Sequence, residues 1–209
     1  MKTNYQLEMD NIISGLCGTP KLLLHACCAP CASYVLEYLS KYFQIDVFYF
    51  NPNIYPTKEY EKRGRELEKL ISLMPFDNPV KLIPSEYDPS RFYDAAKGLE
   101  TEREGGARCT ECFELRLSET AKIAKAGNYD WFATTLTVSP HKNAQLINEI
   151  GQRLGRDMGA EYLVSDFKKR EGYKRSIELC KQYDIYRQCY CGCEYSLRQA
   201  EEYFRQHNT

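Results

Sequence analysis

The stretch Lys21-Leu-Leu-Leu-His-Ala-Cys-Cys-Ala-Pro-Cys31 decides how the rest of the chain is interpreted. Its continuous apolar run, Leu22 to Leu24, is typical of a strand buried on both faces of a parallel sheet. Ala29-Pro30 ends the strand, and a helical pattern covers residues 32–42. The cysteines therefore lie at the carboxyl end of a strand, where open α/β sheets bind ligands. Because a helix N-terminus favours thiolate over thiol, this stretch predicts a metal site or a redox site.

Further apolar runs predict parallel neighbours for this strand. They lie at residues 45–50, 79–83, 129–135 and 161–164, and helical patterns separate them at 58–73, 112–125 and 143–158. Five strands alternating with helices indicate an α/β fold with a doubly wound parallel sheet. The length of 209 residues suits a single α/β domain over 1–209. Within it we expect an irregular or short helical lead-in over 1–19 and a cysteine-bearing C-terminal segment over 185–209.

The composition is that of an ordinary soluble protein, with 43% hydrophobic and 27% charged residues. No apolar run approaches the length of a bilayer span, and the first twenty residues lack a secretory apolar region. We therefore expect a cytoplasmic protein that does not contact membranes. The net charge of −1 leaves any nucleic-acid partner to a local patch of cations. The densest patch, either a phosphate-binding surface or a solvated face, comprises Lys168, Lys169, Arg170, Lys174 and Arg175.

Ten cysteines are the most informative feature of the composition. Seven of them form three tight groups: Cys27, Cys28 and Cys31; Cys109 and Cys112; Cys191 and Cys193. In the absence of a secretory signal, this pattern favours metal binding or redox catalysis over structural disulfides. Of the others, we interpret Cys17 as a packed or idle thiol and Cys180 as part of the core, and the role of Cys189 is open.

Cys27 and Cys28, together with Cys109 and Cys112, would supply four thiolates from two strand-to-helix loops. Four thiolates can bind a structural zinc ion or ligate an iron–sulfur cluster. Adjacent cysteines suit a single zinc poorly because their side chains diverge, whereas they reach two corners of a cubane more easily, so an iron–sulfur cluster is favoured. Structural disulfides are the third interpretation.

The segment Cys191-Gly-Cys193 has a different character. Two thiols one residue apart can close a small, strained ring through the flexible glycine. Strained disulfides are easily reduced, so this pair is interpreted as a redox couple, with further metal ligation as the alternative.

Two histidines and the absence of a phosphate-binding motif also bear on the site. His25 lies in the first strand and is interpreted as a structural histidine, while His141 follows a strand-end loop and is better placed to contact a ligand. The chain has neither a Gly-x-Gly-x-x-Gly after the first strand nor a Gly-x-x-x-x-Gly-Lys-[Ser/Thr] segment. Cysteines occupy the turn that would cradle a phosphate.

Taken together, the motifs make the chain resemble the cobalamin-independent (QueH-type) epoxyqueuosine reductases. The resemblance rests on His25-Ala-Cys-Cys-Ala-Pro-Cys31, Asn51-Pro-Asn-Ile-Tyr-Pro56, Arg108-Cys-Thr-Glu-Cys-Phe113, Thr134-Thr-Leu-Thr-Val-Ser-Pro-His-Lys142 and Tyr190-Cys-Gly-Cys193. It implies a HUP-like (adenine-nucleotide-hydrolase-like) fold, a 4Fe–4S cluster and an additional iron ion. It also implies the last step of queuosine biosynthesis, the reduction of epoxyqueuosine to queuosine at the wobble position of tRNA, with electrons from an unidentified donor.

The resemblance also implies roles for individual cysteines. Cys27, Cys28, Cys109 and Cys112 would ligate the cluster, and Cys191 and Cys193 would form the redox-active pair. Cys31 matches the family motif and is placed near the additional iron. The alternative is a zinc-bearing tRNA-binding or sulfur-transfer module on the same fold. An ATP-dependent tRNA thiolation enzyme would need a Gly-rich pyrophosphate loop after the first strand, and this chain lacks one.

Overall fold

Four parallel strands form the sheet around which the chain is arranged in a computed structural model that describes residues 3–83 and 85–207. The strands are β1 (Lys21–His25), β2 (Gln44–Phe48), β3 (Val80–Ile83) and β4 (Trp131–Thr134), in the spatial order β3-β2-β1-β4. The α-helices are α1 (Tyr5–Ser14), α2 (Ala29–Leu39), α3 (Thr57–Leu73), α4 (Ser90–Ala96), α5 (Ala107–Ala126), α6 (Ala144–Met158), α7 (Gly172–Gln182) and α8 (Glu194–His207). Short 3₁₀ helices cover Thr135–Val138 and Lys169–Glu171.

Helices cover both faces of the sheet. Successive side chains of β1 point to opposite faces, so this strand contributes to two cores. Leu22 and Leu24 pack into a core with α2, α3 and α7, whereas Leu23 packs into a second core with α5 and α6. All three leucines are fully buried. This two-sided burial explains why β1 is a continuous apolar run and confirms the α/β class with a doubly wound parallel sheet.

The expected fifth strand at 161–164 is wrong. This segment makes only an isolated parallel bridge, between Phe132 and Tyr162. Beyond it, the backbone N–H and carbonyl of Ser165 bond to the side chain of Asn148 at 2.9 and 2.8 Å. The backbone groups at Ser165 are thus satisfied by a side chain of α6 instead of a neighbouring strand. An apolar run alone does not distinguish these two outcomes.

Two helices begin earlier than their patterns indicated, and this changes where the cysteines lie. Helix α2 begins at Ala29, because Pro30 is accommodated in the first turn, where its missing N–H would have no partner. Helix α5 begins at Ala107 instead of near Cys112. Consequently Cys31 lies in the first turn of α2, and both cysteines of the second pair lie near the N-terminus of α5.

The N-terminal lead-in is helical over most of its length. The lead-in contains the ten-residue helix α1, capped by the Asn4 side chain, which accepts a hydrogen bond from the Leu7 N–H. Residues 1, 2, 208 and 209 of the two expected end segments lie outside the described residues. Within 3–83 and 85–207, every helix is too short or too polar to cross a membrane.

Candidate active site

The buried side chain of His25 ties together the carboxyl ends of neighbouring strands. Its Nδ1 lies 2.9 Å from Thr134 Oγ1 at the end of β4, and its Nε2 lies 3.1 Å from the carbonyl oxygen of Phe50. Burial lowers the pKa of His25 to about 4, and the charge of Arg116 adds to this effect. His25 is therefore a neutral structural residue near neutral pH, as its position in the strand suggested.

The turn between β1 and α2 presents a group of three thiols. The Sγ atoms of Cys27, Cys28 and Cys31 all lie within 4.8 Å of one another, close enough to share a metal ion. Neighbouring side chains hold them in place: Thr135 Oγ1 lies 3.7 Å from Cys27 Sγ, and Gln188 Nε2 donates a hydrogen bond to Cys28 Sγ at 3.0 Å. Cys31 thus belongs to the same group of possible metal ligands as Cys27 and Cys28, although the resemblance assigns it to the additional iron and them to the cluster.

The three thiols differ in acidity. Hydrogen bonds from Cys28 and Cys31 hold the pKa of the Cys27 thiol well below its ordinary value. Because Cys27 acts as their acceptor, it raises the pKa of Cys28 to about 12 and that of Cys31 well above its usual range. Cys27 is therefore the most acidic thiol of the three, and binding a metal to all three sulfurs would release the protons that they still carry.

The other four motif cysteines line a small cavity of about 30 Å³. They are Cys109, Cys112, Cys191 and Cys193. Burial raises the pKa of Cys109, and it raises that of Cys112 to about 12 although the Arg116 charge opposes it. The backbone N–H of Gly105 donates to Cys109 Sγ at 3.2 Å, so the loop before α5 also positions this thiol.

The segment containing Cys191 and Cys193 is held by the loop after β2 and by α3. The Gly192 carbonyl accepts a hydrogen bond from the Tyr55 N–H at 2.8 Å, and the Cys191 carbonyl accepts one from Arg63 at 3.0 Å. Gly192 has a φ of 143°, a backbone conformation that favours glycine. These contacts bring the Cys191-Gly-Cys193 segment next to the loop motif Asn51–Pro56, which is distant in sequence. Both cysteines are free thiols in the structure, and their role as a redox couple stays a prediction.

A larger cavity of about 650 Å³ lies against the first thiol group. Its lining includes Cys27, Cys31, Cys189 and Cys191. The two cavities have lining residues in common: Glu104, Arg116, His141, Lys142 and Cys191. The cysteines predicted from sequence are therefore distributed around one region, and His141 lies where a ligand in either cavity would meet it.

A buried arginine and a half-buried lysine lie beside both thiol groups. Arg116 is only 2% exposed and lines both cavities, and within the described ranges it has no carboxylate partner and its Nη2 has no hydrogen-bond acceptor. Lys142 Nζ donates to Cys191 Sγ at 3.4 Å. Burial alone would lower the pKa of Lys142, but the charges of Cys191, Cys27 and Cys31 outweigh it and raise the pKa above its ordinary value. An unpaired buried cation is costly, so this arrangement suits a centre of anionic sulfur ligands.

Sequence reasoning missed Arg116 and Glu104, although a signal for Arg116 was present. Arg116 follows Cys109 by seven residues and Cys112 by four, a spacing that places all three on one face of a helix. Glu104 carries no such signal, because it precedes α5 in an irregular loop whose course is set by tertiary contacts.

The basic patch at 168–175 lies in a different electrostatic setting from the one a phosphate-binding surface needs. Carboxylates pair with Lys168 (Asp166, 3.3 Å), Arg170 (Asp10, 2.6 Å), Lys174 (Glu171, 3.3 Å) and Arg175 (Glu37, 2.7 Å). In the part of the chain that the structure describes, Lys169 is the member of the patch without an ion pair. These contacts favour the interpretation as a solvated face. Outside the cysteine groups, Cys180 is buried as expected and Cys17 is exposed.

Comparison with known proteins places this sequence in a family. The sequence profile described as "Epoxyqueuosine reductase QueH" matches residues 22–199. A protein of that name from Staphylococcus epidermidis is 46% identical, over 99% of this chain and 90% of its own length. Proteins of the same name from Streptococcus pyogenes (41% identical; 95% of this chain, 81% of theirs) and Thermotoga maritima (33%; 87% and 92%) are also similar. The chain therefore belongs to the epoxyqueuosine reductase QueH family.

Proposed function

We propose that this chain reduces epoxyqueuosine to queuosine at the wobble position of tRNA, the last step of queuosine biosynthesis. The observation that carries the proposal, beside the family membership, is that eight cysteines line two cavities with shared lining residues or belong to the thiol group beside them. A protein that only bound RNA would have no use for so many thiols around one buried region.

The donor set fits an iron–sulfur centre. Thiolates are the ligands that such clusters require, and the buried, carboxylate-free charge of Arg116 offsets the negative charge that a thiolate-ligated centre carries. We propose that Cys27, Cys28, Cys109 and Cys112 ligate a 4Fe–4S cluster, and that Cys31 serves an additional iron ion beside it. When bound, these groups would supply electrons and Lewis acidity to the reaction.

The chain's own residues account for the remaining requirements of the reaction. Converting an epoxide to an alkene breaks two C–O bonds, forms a carbon–carbon π bond, and consumes two electrons and two protons as the oxygen leaves as water. Oxidation of the Cys191 and Cys193 thiols to a disulfide releases the same number of electrons and protons. Lys142 Nζ is protonated beside Cys191 and can hold a proton at this position. An external donor, not yet identified, would restore the thiols.

The larger cavity has the size for a nucleoside. Its volume of about 650 Å³ lies within the range of roughly 300–1,000 Å³ typical of small-molecule sites. Enzymes that modify a nucleobase act on a base taken out of its stack, and a wobble nucleoside in a single-stranded loop is extruded at low cost. We infer that the modified nucleoside of tRNA enters this cavity beside Cys27 and Cys31.

A second candidate is a zinc-bearing tRNA-binding or sulfur-transfer module. The close grouping of Cys27, Cys28 and Cys31 favours it, because three thiolates with one further ligand also suit tetrahedral zinc. This candidate gives no role to the free thiols of Cys191 and Cys193.

The metal content of anaerobically purified protein separates the two candidates. The reductase should be brown, with absorption near about 400 nm, and should contain iron and sulfide. It should also convert epoxyqueuosine in tRNA when a chemical reductant is added. A colourless protein that contains zinc and converts nothing would support the binding module instead.

A further inference from the structure

Glu104 is the one acidic residue among those that line the two cysteine cavities. It is exposed, and no cation of the described chain lies within ion-pair distance of its carboxylate. It directly precedes Gly105, whose N–H donates to Cys109 Sγ at 3.2 Å, so its position is tied to the second thiol group. An unpaired carboxylate is thus part of a lining that otherwise consists of thiols, cations, amides, hydroxyls and apolar groups.

The carboxylate of Glu104 is available to a positively charged group of a ligand in either cavity. The two cations that line both cavities make no ion pair with Glu104 among the described residues: Lys142 donates to Cys191, and Arg116 Nε donates to the Cys112 carbonyl at 3.0 Å. A carboxylate in this setting is stabilised when a ligand brings a cation to it.

Epoxyqueuosine carries such a cation. A secondary amine, protonated near neutral pH, joins its base to the ring that bears the epoxide, and guanosine at the same position of tRNA has no counterpart. We propose that Glu104 binds this ammonium group and thereby holds the adjoining epoxide against the thiol region, an inference that rests on the proposed function. Because Glu104 lines both cavities, a group anchored on it faces the thiols of both.

Binding measurements on the full-length, metal-loaded protein test this assignment without turnover. The two probes are one tRNA carrying queuosine, which keeps the amine and lacks the epoxide, and the same tRNA carrying guanosine. Wild-type protein should bind the queuosine form about tenfold more tightly, as expected of one charge-assisted hydrogen bond. Glu104→Gln should bring this ratio close to one, and Glu104→Asp should keep part of the preference.

The matched control is Glu111→Gln, which removes the same charge from an exposed glutamate of α5 that lines neither cavity. It should keep the wild-type ratio. An unchanged ratio in Glu104→Gln, or equal binding of the two tRNAs by wild type, would overturn the proposal. Loss of iron from Glu104→Gln would also overturn it and make Glu104 a metal ligand. Failure of the proposed function would appear separately, as wild-type protein that prefers queuosine tRNA yet never converts epoxyqueuosine.

Discussion

At the scale of single residues, Cys109 is the most direct probe of the metal centre. It lies near the N-terminus of α5 and lines the smaller cavity with three other thiols. We expect Cys109→Ser to lose most of its iron and sulfide, because serine oxygen is a poor ligand for soft iron–sulfur centres. Iron and sulfide would be counted per chain after anaerobic reconstitution. Cys17→Ser, at an exposed and isolated thiol, is the control and should match wild type. A full complement of iron in Cys109→Ser would remove Cys109 from the ligand set.

Cys191 and Cys193 should behave differently from the cluster ligands. We expect Cys191→Ser and Cys193→Ser to retain the iron and the visible spectrum but to lose multiple turnover, since each breaks the proposed dithiol. Residual product from a single turnover is compatible with this expectation. The measurement sets iron content and spectrum beside the conversion of epoxyqueuosine in tRNA with a chemical reductant present. Iron loss in either variant would make these residues metal ligands, and full activity in both would leave the pair without a catalytic role.

The sequence identified the thiols of the site better than its charges. Cysteine spacing and motif resemblance marked seven of the eight cysteines that line the two cavities or belong to their thiol groups, and Cys189, which lines the larger cavity, was left without a role. Arg63, Arg116 and Glu104 were missed because the contacts of a charged side chain depend on tertiary structure. Arg63 illustrates this: it lies on α3, and its guanidinium reaches the Cys191 carbonyl, 128 positions away in the chain.

At the scale of secondary-structure elements, Gly172 tests how α7 is seated against α2. It begins α7, and a Cβ atom at this position would lie 2.0 Å from the Phe167 carbonyl oxygen and 2.3 Å from the ring of Tyr34. We expect Gly172→Ala to lower the free energy of unfolding by about 1–3 kcal/mol, because backbone atoms cannot move aside as a flexible side chain can. Chemical denaturation followed by circular dichroism measures this.

Gly64→Ala is the matched substitution within helix α3. Its Cβ would meet the Tyr49 ring at 3.4 Å, an ordinary contact, so it should be neutral or stabilise by up to about 1 kcal/mol through helix propensity. Equal stability of Gly172→Ala and wild type would contradict the close seating of α7.

Most element types were predictable because periodicity reports burial, but the start of one helix and the type of one segment were not. The start of α2 was misplaced because Pro30 is a helix breaker in most positions and acceptable only in the first turn. A fifth strand was expected at 161–164 because the segment is apolar, and its apolar residues are indeed buried. Tyr162 and Val164 are buried in the core that contains α6, Leu163 is buried in the core that contains α2 and α7, and sheet hydrogen bonding contributes a single bridge. Hydrophobicity alone does not carry that distinction.

At the scale of the whole molecule, the location of the RNA-binding surface is open to a salt-dependence test. Each lost phosphate contact flattens the dependence of log affinity on log salt by about one unit. Changing Lys168, Lys169 and Arg170 together to alanine would therefore remove about three units if all three bound phosphate. We expect a change of about one unit or less, because Asp166 and Asp10 already pair with Lys168 and Arg170. A loss near three units would show that tRNA displaces these carboxylates.

We propose that the thiols around the two cavities form the centre at which epoxyqueuosine is reduced. The most direct test is single-turnover conversion under anaerobic conditions, with tRNA carrying epoxyqueuosine and equal amounts of wild-type protein or Cys109→Ser. The tRNA is digested to nucleosides, and mass spectrometry follows the loss of one oxygen atom. We expect queuosine in the wild-type reaction and none above background with Cys109→Ser. Equal conversion by both proteins, or no conversion by iron-loaded wild type, would contradict it.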